Sequence, residues 1–267
     1  MEIKCGDQYW RVQLMGKGEQ LLIALHGYGQ SSAVFNHIAE LLEEQYTLLG
    51  IDLAFHGDQA DLQTGFLFNR EYASGWLDAI LAQTGKKSIG IIGYSIGGRI
   101  ALSLASWFPD KISELWLIAP DGLPVSKAYR LLTGNWLGVF IFKSFVESPG
   151  ITFAILTTFE KLKFMQKKVI DFYLAQIQSL TKRKQLLNTW MAYRELIPNR
   201  RNLYELSRSG KLPVTCILGK FDVVIRPKKT RRALVKTLPN AQIIELEIGH
   251  NLLSEKAMRK LSEYWRE

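Results

Sequence analysis

The chain has 267 residues, 47% of them hydrophobic and 22% charged, with a formal net charge of +9. That length suits one α/β domain carrying an insertion, or two small domains, and the apolar share can fill a large core. No uncharged apolar run approaches the ~20 residues of a membrane-spanning helix, and Met1-Glu2-Ile3-Lys4 is not followed by an apolar signal core, so neither a spanning helix nor a secretory leader is expected.

Tyr9 to Leu14 alternates, with Trp10, Val12 and Leu14 on one face, which predicts a half-buried strand paired with the stretch around Ile3 across Gly6-Asp7. Leu21 to Leu25 is a continuous apolar run, the pattern of a fully buried strand, and it ends in His26-Gly27-Tyr28-Gly29. Val34, Phe35, Ile38, Leu41 and Leu42 mark one face of a helix, capped by Ser31 or Ser32. His37 falls on its polar side. Tyr46 to Ile51 is another buried strand, running into Asp52-Leu53-Ala54-Phe55-His56-Gly57. A helix carrying Tyr72, Trp76, Leu77, Ile80 and Leu81 follows.

Lys87 to Ile92 is the next strand, and after it comes Gly93-Tyr94-Ser95-Ile96-Gly97. Small and apolar residues from Gly98 to Ala105 then recur at helical spacing. Glu114 to Ala119 is a strand closing with Pro120-Asp121-Gly122. This alternation of strands and helices predicts a mostly parallel sheet covered on both faces.

The alternation stops at about Leu123. From there to about Tyr204 the apolar spacing is helical: Phe153, Leu156, Phe159, Leu162 and Met165; then Phe172, Tyr173, Ile177 and Leu180; then Leu186, Leu187, Trp190, Met191 and Tyr193. These stripes are read as packing surfaces of a helical insertion. The expected division is a core of residues 1–122 and 206–267 with an insertion at 123–205. Asp121 to Glu205 contains thirteen Lys or Arg against six Asp or Glu, so most of the positive charge sits there. Either it keeps an apolar insertion soluble, or it attracts an anionic substrate, membrane surface or partner.

Strand character resumes at Pro213 to Leu218 and exits through Gly219-Lys220-Phe221-Asp222. Thr230 to Leu238 is a helix, and Ala241 to Ile248 is the last strand, leaving through Gly249-His250-Asn251. Leu252 to Trp265 closes the chain as a helix with Leu253, Met258, Leu261 and Tyr264 on its expected buried face.

Chemistry concentrates just after the strands. Gly-x-Ser-x-Gly between a strand and a helix puts Ser95 on a sharp turn, its hydroxyl presented at the sheet edge and the Ile96 N–H free for a developing oxyanion. Asp222 and His250 each follow another strand, so the three can converge outside the carboxyl ends of a parallel sheet. A serine hydroxyl needs a base to take its proton. His250 is the candidate base, and Asp222 the candidate acid that fixes its tautomer. Asp121, also after a strand, is the alternative acid. His26 and His56 are expected to orient loops by hydrogen bonding. No pair of histidines has metal-ligand spacing, so neither metal nor cofactor is expected.

With the order Ser…Asp…His in place, the chain resembles the α/β-hydrolase fold superfamily, capped serine hydrolase type, over nearly all its length outside the insertion. His26-Gly27-Tyr28-Gly29 is similar to the family's HGxG loop, which implies that the Tyr28 N–H joins Ile96 in an oxyanion hole. Asp52-Leu53-Ala54-Phe55-His56-Gly57 resembles the family's D-x-x-G-H-G segment, with Phe55 where Gly is usual. Gly219-Lys220-Phe221-Asp222 and Gly249-His250 resemble its acid and histidine motifs.

The resemblance implies a serine hydrolase acting on an ester or thioester, with related C–C hydrolases, acyltransferases and peptidases sharing the triad. Serine at position 95 disfavours the members with an aspartate nucleophile. The alternatives are a membrane-surface lipase or acyltransferase and a non-catalytic ligand-binding protein on the same fold. The insertion is expected to be a helical cap over Ser95. The expected partner is a small acyl substrate and not nucleic acid, with peripheral contact to an anionic membrane left open. Cys5 and Cys216 have neither metal nor redox spacing, which suits a reducing, cytoplasmic setting.

Overall fold

Continuous apolar strands form the interior of an eight-stranded sheet in the computed structural model, which describes residues 1–148, 150 and 179–266. The strands are β1 (Glu2–Cys5), β2 (Gln8–Gly16), β3 (Gln20–Leu25), β4 (Tyr46–Ile51), β5 (Ile89–Tyr94), β6 (Ile112–Ile118), β7 (Val214–Gly219) and β8 (Gln242–Leu246). Their order is β1-β2-β4-β3-β5-β6-β7-β8, with β2 antiparallel to both neighbours and all other pairs parallel. The chain moves outward from β3 to β4, then returns to the other side of β3 to lay down β5. That reversal opens a crevice at the carboxyl ends of β3 and β5, the place where parallel sheets bind ligands.

Period-two alternation sorts the strand residues into two cores. Ile23, Leu25, Leu49, Ile51, Ile91, Leu115, Leu117 and Cys216 face one side, under α2 (Arg70–Thr84) and α3 (Ile96–Trp107). Leu22, Ala24, Leu48, Ile92, Ile118, Ile217 and Ile244 face the other. There they meet α1 (Asn36–Leu42) and the C-terminal helix Glu255–Arg266. Each Leu or Ile side chain among them, fully buried, contributes about 1.5–3 kcal/mol relative to exposure.

Three local expectations fail for identifiable reasons. Leu14 shares a face with Trp10 and Val12 but is 56% exposed, whereas Met15 is buried. At that end of β2 it is the opposite face that is covered, by α1 residues around Ala39 and Leu42. Neither Ser31 nor Ser32 caps a helix through its side chain: they begin a 3-10 turn, Ser32–Phe35, and the Ser32 N–H donates instead to Asp52 Oδ1 at 2.6 Å. Tyr264 is exposed; the buried row of its helix is Ala257, Met258 and Leu261, and Trp265, itself exposed, lies edge-on to Trp116 at 6.0 Å. His37 is exposed, as its position on the helix implied.

Between β6 and β7 the described residues form α4 (Lys127–Thr133), α5 (Trp136–Glu147), α6 (Leu180–Ala192) and α7 (Arg200–Arg208). The stripe from Phe153 to Met165, the residues Phe172, Tyr173 and Ile177, and Lys161, Lys163, Lys167 and Lys168 lie outside the described residues. Asn135 ends the α4–α5 corner by accepting the Gly138 N–H at 2.8 Å. Gly138 permits the two helices to cross closely, because a Cβ there would collide with the Leu131 carbonyl oxygen. Phe142 and Val146 of α5 bury against Leu186 of α6, flanked by Trp190 and by Tyr28 from the loop after β3. Tyr193 and Leu196 belong to the main core, and Leu203 of α7 packs there too. These last contacts lie inside the 123–205 segment yet bind it to the sheet domain.

Candidate active site

The turn from β5 into α3 holds Ser95 at φ 54°, ψ −114°, a conformation that costs a non-glycine residue on the order of 1–3 kcal/mol. Three main-chain bonds fix it: the Ser95 N–H donates to the Ile118 carbonyl at 2.9 Å, and its carbonyl accepts from Gly98 at 3.0 Å and Asp121 at 2.9 Å. Glycine is required on both sides. A Cβ on Gly93 would strike the Gly97 backbone, and one on Gly97 would strike the Leu25 carbonyl. The Ile96 N–H opens α3 and has no acceptor among the described residues, and the Tyr28 N–H likewise has none. No hydrogen bond reaches Ser95 Oγ among the described residues either.

Asp222 and His250 are brought together from the ends of β7 and β8. His250 Nδ1 lies 2.7 Å from Asp222 Oδ2, and the Asp222 side chain is 1% exposed. The other carboxylate oxygen accepts the N–H groups of Val224 and Ile225, both at 2.8 Å. A carboxylate so placed can only accept, so Nδ1 carries the imidazole proton and Nε2 keeps its lone pair. Asp121, the alternative acid, is committed elsewhere: it forms an ion pair with Arg99 and accepts the Gly122 N–H at 2.7 Å. Arg99 is 4% exposed, stacks on the Tyr129 ring at 4.0 Å, and leaves Nε and Nη1 without a hydrogen-bond partner among the described residues.

The loop bearing Tyr28 is held by two histidines acting as hydrogen-bonding struts. His26 Nε2 accepts the Leu53 N–H at 2.9 Å while Nδ1 faces the Gly27 carbonyl at 2.7 Å. His56 Nε2 accepts the Gly29 N–H at 2.9 Å while Nδ1 faces the Ala54 carbonyl at 2.9 Å. Each ring therefore carries its proton on Nδ1 and is neutral. Burial, with His56 alongside, holds His26 down to about 4, and burial lowers His56 as well. Asp52 accepts from Ser32 and from Asp58, tying the preceding loops together. Phe55 adopts the left-handed φ of 66° that explains the usual glycine there; its N–H donates to Gln59 and its carbonyl accepts from Gln185 of α6.

The inserted helices touch this loop directly. The Tyr28 hydroxyl donates to the Lys182 carbonyl at 3.2 Å, and burial pushes its phenol up. Within the basic run Lys182-Arg183-Lys184, Arg183 is buried, its Nε donating to the Val146 carbonyl near the end of α5 at 2.7 Å. So one of the three cations serves helix packing.

Two residues of the site escaped the sequence reading. Tyr94, inside the Gly-x-Ser-x-Gly motif, donates its hydroxyl to the His250 carbonyl at 2.8 Å. Arg99 left a signal that went unused: a lone cation in a helix of otherwise small and apolar residues demands a buried partner. Among the described residues no group of three or more His, Cys, Asp or Glu is gathered to hold a metal.

Comparison with known proteins follows the same lines. Over 251 residues the chain is 24% identical to the hydrolase YugF of Bacillus subtilis, spanning 92% of this chain and 89% of that one. It is 26% identical over 260 residues to a pimeloyl-[acyl-carrier protein] methyl ester esterase of Aliivibrio fischeri, spanning 91% and 92%. A thermophilic esterase from Thermogutta terrifontis superposes with a TM-score of 0.69 at 18% identity, covering 100% of this chain and 97% of its own, a likeness of fold. Residues 20–257 match the family model for the alpha/beta hydrolase fold, and the chain belongs to that family.

Proposed function

We propose that the protein is a serine hydrolase that cleaves an ester or thioester of a small acyl substrate, with Ser95 as nucleophile, His250 as base and Asp222 as the acid that orients it. The observation that carries this reading is the 2.7 Å Asp222–His250 bond at the sheet edge where the elbow presents Ser95. Ser95 Oγ attacks the acyl carbon as His250 Nε2 takes its proton. The N–H groups of Tyr28 and Ile96 receive the oxyanion. Collapse of the tetrahedral intermediate breaks the bond to the leaving oxygen or sulfur, which His250 protonates. Water then gives its proton to His250 and attacks the acyl-enzyme, releasing the acid and free Ser95. The Ser95–His250 hydrogen bond forms as substrate closes the site.

The inserted helices serve as a cap over this site, with Tyr28 under Phe142, Val146 and Leu186. The methyl ester esterase among the relatives favours the ester over the thioester. Free, buried Cys5 and Cys216 fit a cytoplasmic location.

The test is fluorophosphonate labelling followed by peptide mapping, with hydrolysis of a chain-length series of nitrophenyl esters and acyl-thioesters. An adduct on Ser95, and loss of turnover in Ser95→Ala by at least about a thousandfold, are expected. Stable ligand binding without labelling would instead identify a non-catalytic protein, and an adduct on another residue would move the nucleophile.

A further inference from the structure

Among the described residues, the outer face of α4 and α5 is apolar and exposed. On α5, Trp136, Leu137, Phe140 and Ile141 are exposed, Trp136 by 80% and Phe140 by 63%. Their spacing puts them on one side of the helix, opposite the buried row Gly138, Phe142 and Val146. Leu131, where α4 crosses Gly138, adds a further 65% exposed side chain. The charged residues around this face are mostly cations: Lys127, Arg130 and Lys143 are exposed, and Glu147 is the single acid between residues 123 and 148.

We propose that this face of α4 and α5 docks the protein peripherally on an anionic lipid bilayer. An aromatic and aliphatic row with a tryptophan near one end and lysine or arginine at the flanks is the composition of a helix that lies in the headgroup boundary. The apolar row enters the acyl region and the cations meet anionic headgroups. The overall charge of +9 adds a longer-ranged attraction. A second copy of the chain fits less well, because a twofold contact would bring six cations, Lys127, Arg130 and Lys143 of each copy, into one interface with Glu147 as the single nearby acid of each. Among the described residues no helix is long and apolar enough to cross a membrane. The inner row of α5 packs on Tyr28, so a single helix, about 10 Å thick, separates the lipid from the loop after β3. Docking of this face requires nothing of Ser95.

The experiment is co-sedimentation of the full chain with vesicles of phosphatidylcholine alone and of phosphatidylcholine mixed with phosphatidylglycerol. Binding to the mixed vesicles is expected, weakening as salt rises. The double variant Trp136→Ser/Phe140→Ser should bind at least about tenfold more weakly, given the apolar area removed. Its thermal melt should be unchanged, because both side chains face solvent. Lys127→Glu/Arg130→Glu/Lys143→Glu should abolish the preference for phosphatidylglycerol. On the wild type, brominated lipid should quench tryptophan fluorescence, and Trp136→Phe should remove that quenching. Failure of the wild type to bind mixed vesicles, or binding unaffected by the double variant, overturns the proposal. So does a wild-type dimer that the double variant dissolves with no vesicle binding, which assigns the face to a second copy.

Discussion

Tyr94 and His250 are joined twice: the Tyr94 hydroxyl donates to the His250 carbonyl at 2.8 Å, and the two rings lie 5.3 Å apart at 32°. The residue preceding Ser95 thus holds the backbone of the loop that presents the imidazole. Burial, with the Asp222 charge adding to it, pushes the Tyr94 phenol up, so it stays a neutral donor across the working pH range. Tyr94→Phe should lower kcat several-fold with KM little changed and cost about 1 kcal/mol of stability. Steady-state kinetics and thermal melts check this. An unchanged kcat and an unchanged histidine limb of the kcat/KM pH profile would reduce the bond to a structural tie.

Asp222→Asn and Asp121→Asn should fail in different ways. The first favours the wrong histidine tautomer and should lower kcat by roughly ten-thousandfold, with a near-normal melt. The second strips the partner from buried Arg99 and should cost about 3–5 kcal/mol of stability, with the surviving folded protein still active. Side-by-side kinetics and denaturant titration separate the two, and the reverse ranking of activities would move the acid to Asp121.

Acid should destabilise the fold through its loop histidines. His26 and His56 have folded values below the usual 6.5, so below that pH the unfolded chain binds more protons than the native one. Their contribution is fully present above about 6.5 and is lost as pH falls toward 4, with a slope of up to about 1.4 kcal/mol per pH unit for each ring. Chemical denaturation between pH 7 and 4 should show this decline. His26→Asn should be less stable at neutral pH yet decline less steeply; an unaltered slope would place the acid sensitivity elsewhere.

Gly138→Ala should splay α4 from α5 without loosening the sheet. The added methyl meets the Leu131 carbonyl, and main chain cannot swing aside as a long side chain can. Activity on a short ester should persist while KM for a long-chain ester rises several-fold. Matched assays on the two esters check it, and equal effects on both would argue against a role for these helices in substrate choice.

The sheet was legible because buried parallel strands read as unbroken apolar runs: Tyr46 to Ile51 is both the run and the strand. The pairing of Asp222 with His250 was legible because each follows a strand and their order matches a known arrangement. What depends on neighbours distant in sequence was not. Leu14 and Met15 exchange burial according to which helix reaches that end of β2. The Ser31 hydroxyl could cap a helix, but Asp52, twenty residues on from Ser32, takes the N–H that anchors the turn. The stripe at Leu186, Leu187 and Trp190 does pack against a neighbouring helix. The equally apolar Trp136 to Ile141 turns four of its six residues outward, and hydrophobicity alone cannot distinguish the two.

Tyr28 touches both the sheet domain and the inserted helices, its ring edge-on to His56 at 5.4 Å and its hydroxyl on the Lys182 carbonyl. That dual contact limits how freely the insertion can be exchanged for another. A chimaera joined after β6 and before β7 would carry every inserted helix but leave residue 28 behind. A foreign helix seated on tyrosine shifts the loop whose N–H is proposed to receive the oxyanion, and a smaller side chain at 28 leaves a hole beneath the graft. Recombining such modules therefore means selecting position 28 together with the transplanted segment, although Gly122, where that segment departs, lies 94 positions further along the chain.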